Sequence, residues 1–108
     1  MGKYQLSNDK LIEQIIKKLK NNKNRQNAVI HIFNPYGGGD WYLSEVPDDG
    51  VAFGLCDIGY PELGYVDLEE LRNIRIGVAG VKLSLEMDKY FEPKELTFIK
   101  EERKNEQI

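Results

Sequence analysis

The chain has 108 residues, enough for one small domain and too few for an eight-stranded α/β barrel or a full two-half dinucleotide fold. Hydrophobic residues make up 41% and charged residues 31%, which is globular rather than disordered composition. A net charge of −3 and a pI near 5.2 argue against nucleic acid as a partner. Residues 1–5 open no apolar signal segment, and no apolar run approaches the ~20 residues of a membrane span. The expected location is cytoplasmic, with no membrane partner.

Residues 7–20 read as a helix, because Leu11, Ile12, Ile15, Ile16 and Leu19 form one apolar stripe. Ser7 or Asn8 caps its start, Lys17, Lys18 and Lys20 suit its negative end, and Asn21 and Asn22 stop it. Residues 21–27 are polar and read as a loop. Residues 28–33 are short and β-branched, the mark of a strand, and residues 34–40, with Gly37, Gly38 and Gly39, form a loop. Trp41 to Val46 is the next strand, residues 47–50 a tight turn, and Val51 to Asp57 a third strand. Strands this close in sequence pair as an antiparallel meander.

Residues 60–65 read as an irregular link, in which Glu62 accepts backbone N–H bonds and Gly64 supplies a positive φ or a close backbone approach. Asp67 and Glu70 have the spacing of a capping box for a short helix over 68–74, with Leu68, Leu71 and Ile74 as its apolar stripe. Residues 81–87 alternate, Val81, Leu83, Leu85 and Met87 against Lys82, Ser84 and Glu86, as a half-buried strand does. Pro93 suits a first helical turn or a turn. The compact domain is expected to span residues 1–99, and the polar residues 100–108 to fray. The predicted class is α+β: an antiparallel sheet of about four strands, one face covered by the N-terminal helix and the short second helix.

Charge is unevenly placed. Residues 1–27 carry seven bases against two acids, whereas residues 28–71 carry nine acids and no base. Three readings compete. Internal pairing with the lysine-rich first helix is the plainest, although each exposed pair is worth only ~0–1 kcal/mol. An acidic face meeting a basic partner is the second. A divalent-metal site is the third, weakened because the acids are spread over separate elements and Asp48-Asp49-Gly50 is too short for a calcium loop.

The individual chemical candidates are thin. Gly37-Gly38-Gly39 is followed by Asp40 and Trp41 rather than by the lysine a phosphate loop requires. His31, the only histidine, and Cys56, the only cysteine, cannot make a zinc site alone and read as packed residues. Tyr36, Trp41, Tyr42, Tyr60 and Tyr65 gather around the loops without interleaved bases, which suits protein contact better than single-stranded nucleic acid.

Several stretches resemble a known family. Phe33-Asn34-Pro35-Tyr36-Gly37, Trp41-Tyr42-Leu43-Ser44-Glu45, Phe53-Gly54-Leu55 and the eleven residues from Pro61 to Leu71 follow its pattern. So do Glu86, Asp88, Phe91-Glu92-Pro93 and Leu96. It is the small bacterial domain-of-unknown-function family with a Pro-Glu-Leu-Gly-Tyr signature, often encoded on plasmids or other mobile elements. The resemblance implies a single domain and brings no activity, cofactor or catalytic residue. Met87 stands where the family pattern has an arginine, and His31 and Cys56 lie outside the motif.

The function expected is a small protein-interaction or regulatory module rather than an enzyme, with neither metal nor cofactor. Its contact surface would use Trp41, Tyr42, Glu45, Glu62 and Tyr65, and its partner would be a protein of basic character. The alternative is a metal-dependent or acid/base hydrolase using carboxylates of residues 40–70, Glu45 and Asp57 among them, with His31. Exposed strand edges would also permit a homodimer.

Overall fold

The apolar stripe near the start of the chain lies on α1 (Gly2–Lys20) in the computed structural model. That structure describes residues 2–35, 37–48, 50–73, 76–78, 81–83 and 85–106, of which 2–9, 76–78 and 81–83 are described as backbone only. Tyr36, Asp49, Ile74, Ser84 and the last two residues lie outside the described residues. α1 starts five residues before the expected cap and buries Ile12, Ile15 and Leu19, with Leu11 and Ile16 packed alongside. Its last turn closes through the N–H groups of Asn21 and Asn22 on the carbonyls of Lys18 and Leu19. The Asn22 amide then reaches the carbonyls of Asn24, Asn27 and Ser44 at 2.9, 3.1 and 2.7 Å, fastening the following loop to the sheet.

The strands are β1 (Asn27–Ala28), β2 (Ile30–Phe33), β3 (Asp40–Asp48), β4 (Val51–Asp57), β5 (Pro61–Asp67), β6 (Ile76–Val78), β7 (Val81–Leu83), β8 (Glu86–Met87) and β9 (Lys94–Glu95). Two further helices are α2 (Leu68–Asn73) and α3 (Leu96–Glu106). The main sheet has five antiparallel strands in the order β5-β4-β3-β2-β8, so the fold is α+β with one strand more than expected. β1 pairs with β9, and β6 with β7, as separate two-stranded ribbons. Among the described residues no helix is long and apolar enough to cross a membrane.

Strand alternation divides the sheet between two cores. Ile30, Ile32, Trp41, Leu43, Ala52 and Val66 face α1 together with Leu68 and Leu71 of α2. Tyr42 and Leu55 face the other way and pack against Leu96 and Ile99 of α3. A register shift between Leu43 and Glu45 turns the strand, and Ser44 is buried at the bulge with its hydroxyl donating to the Phe53 carbonyl at 3.3 Å. Gly50 takes a φ of 87° in the turn that follows β3, where a side chain would be strained.

Four expectations are corrected. The link expected at residues 60–65 is, from Pro61 on, part of the edge strand β5: proline is tolerated at a strand's first position, and Val66 reaches the α1 core. Glu62 is therefore exposed on a strand and caps nothing, while Gly64 has neither a positive φ nor a crowded neighbour. The close approach is at Gly54, where a Cβ would sit 2.0 Å from the Tyr42 carbonyl oxygen. The alternating run 81–87 is split, since β7 pairs with β6 whereas β8 pairs with β2. Finally, residues 100–106 do not fray but continue α3, so helices cover both faces of the sheet. The helix holds because Leu96, Ile99 and Arg103, three and four residues apart, share one face. Asp67 does cap α2, its Oδ1 accepting the Glu69 N–H at 2.8 Å.

Candidate functional site

The register of β3 on β4 sets Asp40 directly opposite Asp57. Like charges in facing positions repel, and Asp57 is almost wholly buried. α3 supplies the answer. Arg103 lies across both: Nη2 donates to Asp40 Oδ2 at 2.9 Å, Nε donates to Asp57 Oδ2, and Nη1 donates to the Tyr42 hydroxyl at 2.8 Å. Its planar fork holds three acceptors in a fixed geometry from three separate nitrogens, whereas a lysine's three donors all radiate from one. Burial works against the Arg103 charge, yet the Asp57 hydrogen bond, Tyr42 and Asp40 outweigh it and raise its pKa further. Burial also pushes the Tyr42 phenol above its ordinary value, against the pull of the guanidinium.

The second oxygen of Asp40 continues the chain of contacts. Its Oδ1 lies 2.7 Å from His31 Nε2, while His31 Nδ1 lies 3.4 Å from Asp88 Oδ2. The imidazole stacks on Tyr42, centroids 4.3 Å apart and planes 5° from parallel, and Phe91 tilts against both rings. Asp88 is itself placed by the backbone: its N–H donates to the His31 carbonyl at 2.8 Å, and its Oδ1 accepts the Tyr90 N–H at 2.9 Å.

Of these groups, His31, Tyr42, Asp88, Phe91 and Arg103 line a cleft of about 620 Å³ between α3 and the segment 88–94. His31, Tyr42 and Phe91 give it an aromatic wall, and Asp88, Glu102 and Glu106 give it carboxylates. Its two cations are already engaged, Arg103 as described and Lys94 with Glu102 at 2.9 Å. The arrangement suits binding better than hydrolysis. Each His31 ring nitrogen faces a carboxylate, so neither stands open toward a substrate. Glu45 is engaged elsewhere, 3.6 Å from Arg25. Among the described residues no three His, Cys, Asp or Glu side chains converge to hold a metal ion.

Cys56 lies on the opposite side of the sheet, at the register position beside Trp41. Burial pushes its thiol up, Asp57 and Glu62 add to the shift, and the Trp41 contact only partly offsets them. A thiol held protonated in this way is not an activated nucleophile.

The five residues read from sequence as one contact surface fall in different places. Trp41 is in the α1 core and Tyr42 in the α3 core. Glu62 shares the Trp41 and Cys56 row of the sheet, whereas Glu45 and Tyr65 flank Phe53 on the α3 side. Tyr65 is 71% exposed and meets Phe53 edge-on at 5.3 Å. Of the five, Tyr42 alone lines the cleft. The residues missed, Asp88, Phe91, Glu102, Arg103 and Glu106, lie outside the base-free segment 28–71. Asp88 and Phe91 belonged to the family pattern, and that was their one signal.

A family model described as "Protein of unknown function (DUF2958)" matches residues 5–108. No curated protein and no solved structure matches the chain.

Proposed function

We infer the function from side-chain geometry, because the chain belongs to the DUF2958 family of proteins of unknown function, whose description carries no activity. The protein is a small interaction module that receives a basic segment of a protein partner in the cleft beside α3. One observation carries this reading: the cleft pairs an aromatic wall with the carboxylates of Asp88 and Glu106, while the two cations lining it are bound to other carboxylates of the chain, Lys94 to Glu102 and Arg103 to Asp40 and Asp57. A guanidinium or ammonium entering over Phe91 gains ring-face attraction of about 0.5–2 kcal/mol. It also meets Asp88 and Glu106. The acidic, aromatic character of the contact surface is retained from the sequence reading, but its position moves from the middle strands to the end of α3.

The test is titration of isotope-labelled protein with the tripeptide Arg-Gly-Arg and, separately, with Glu-Gly-Glu, followed by amide chemical shifts. Binding near about 1 mM by the basic peptide, with shifts centred on Asp88, Phe91 and Glu106, is expected. Asp88→Asn combined with Glu106→Gln should weaken it at least fivefold. Equal responses to the two peptides, or no loss in the double variant, would remove the basis for the proposal.

A further inference from the structure

β5 is the outer strand of the main sheet, and among the described residues no strand pairs with its free edge. Natural edge strands are protected by lysines, bulges, internal prolines or shortness. β5 lacks all four: it runs seven residues, keeps an unbroken register with β4, carries no base, and holds its proline only at the first position; its charges are the exposed Glu62 and Asp67, and α2 and α3 pack beside it. Beside it the surface is apolar. Tyr65, Leu63 and Tyr60 are exposed, as is Ile58 in the turn before the strand.

The strand is complementary to its own reverse. Antiparallel alignment centred on Gly64 overlaps all seven residues. It places Leu63 opposite Tyr65, Glu62 opposite Val66 and Pro61 opposite Asp67, so no two carboxylates face each other. The two Leu63–Tyr65 pairs lie on the α3 side and cover one another, the aromatic–aliphatic pairing that stabilises adjacent strands. On the axis itself the two Gly64 residues bring no side chain to either face, and the face there is open, since a Cβ would meet nothing within 4 Å. We propose that two copies of this chain join along β5 about Gly64, uniting two five-stranded sheets into one and leaving both α3 clefts open. The contact rests on one seven-residue strand from each copy, so the expected dissociation constant is on the order of micromolar.

Sedimentation velocity from about 1 to about 500 µM tests the proposal. The wild-type coefficient should rise from monomer to dimer across that range, while Leu63→Lys with Tyr65→Lys stays monomeric with an unchanged circular dichroism spectrum. Register is tested with cysteines in a Cys56→Ser background. Gly64→Cys should give a covalent dimer on mild oxidation. Glu62→Cys should not, because its two copies would lie roughly 13 Å apart along the strand, beyond disulfide reach. A wild-type chain monomeric throughout, a dimer unaffected by the two lysines, or equal cross-linking at both positions would each overturn it.

Discussion

Replacing Arg103 by methionine keeps the volume and the helix but removes the cation between Asp40 and Asp57. The loss is set by what remains. Asp57, with a side chain 6% exposed, is left facing a like charge, and the Tyr42 hydroxyl loses its donor. Breaking a buried pair from one side costs about 3–5 kcal/mol. Arg103 and Asp40 retain roughly a quarter of their exposure, so water recovers part of that and the low end applies, about 3 kcal/mol. In a domain of this size each kcal/mol moves the melting temperature by about 5 °C, giving a drop near 15 °C. Arg103→Lys should lose about half as much, since an ammonium reaches one carboxylate well and cannot span three acceptors. The informative combination is Arg103→Met with Asp57→Asn. Neutralising one member of the facing pair should restore about 1–2 kcal/mol in the methionine background, although Asp57→Asn alone is destabilising. Urea unfolding and calorimetry of the four proteins measure these differences. A cost below about 1 kcal/mol for Arg103→Met, or no restoration by the second change, would refute the view that Arg103 works by separating two aspartates.

Two further outcomes follow from the backbone and the half-buried thiol. Gly54→Ala should destabilise by about 3 kcal/mol or prevent folding, because its Cβ runs into the Tyr42–Leu43 backbone of β3, whereas Gly64→Ala, at dilute protein, should be neutral or stabilise by about 0.5 kcal/mol; equal melting temperatures for the pair would contradict the packing described. Cys56 should react with iodoacetamide with a pH midpoint above that of an ordinary thiol. Its raised pKa contributes stability that is complete below the unfolded thiol's value and fades as pH climbs through the folded one, so Cys56→Ala should flatten part of the alkaline loss. Labelling at pH 8 as fast as a free thiol would show the burial to be wrong.

The parts of the fold readable from sequence were those that rest on local periodicity or a local cap. The α1 stripe, the β2–β3–β4 meander and the Asp67 cap all appear where their residue patterns put them. β5 was hidden because Pro61 and Gly64 look like loop residues when the strand's edge position is unknown. α3 was hidden because its buried face holds just two apolar residues and an arginine, whose stabilising partners sit 46 and 63 positions earlier. The candidate site shares that difficulty. His31 draws Asp40 from the next strand and Asp88 from the far side of the chain, and no spacing in the sequence announces the meeting. The excess of acid in residues 28–71 was real, and part of it is answered by Arg103 of α3, at Asp40 and Asp57, and by Arg25, at Glu45.

A chain emerging residue by residue makes β3 and β4 long before it makes Arg103. Through that interval Asp40 and Asp57 face each other without the guanidinium between them, and Tyr42 and Leu55 lack the cover of Leu96 and Ile99. The last helix thus acts as a keystone set after the arch is built. A chain ending before residue 96 would lack both that cation and the cover over Tyr42 and Leu55.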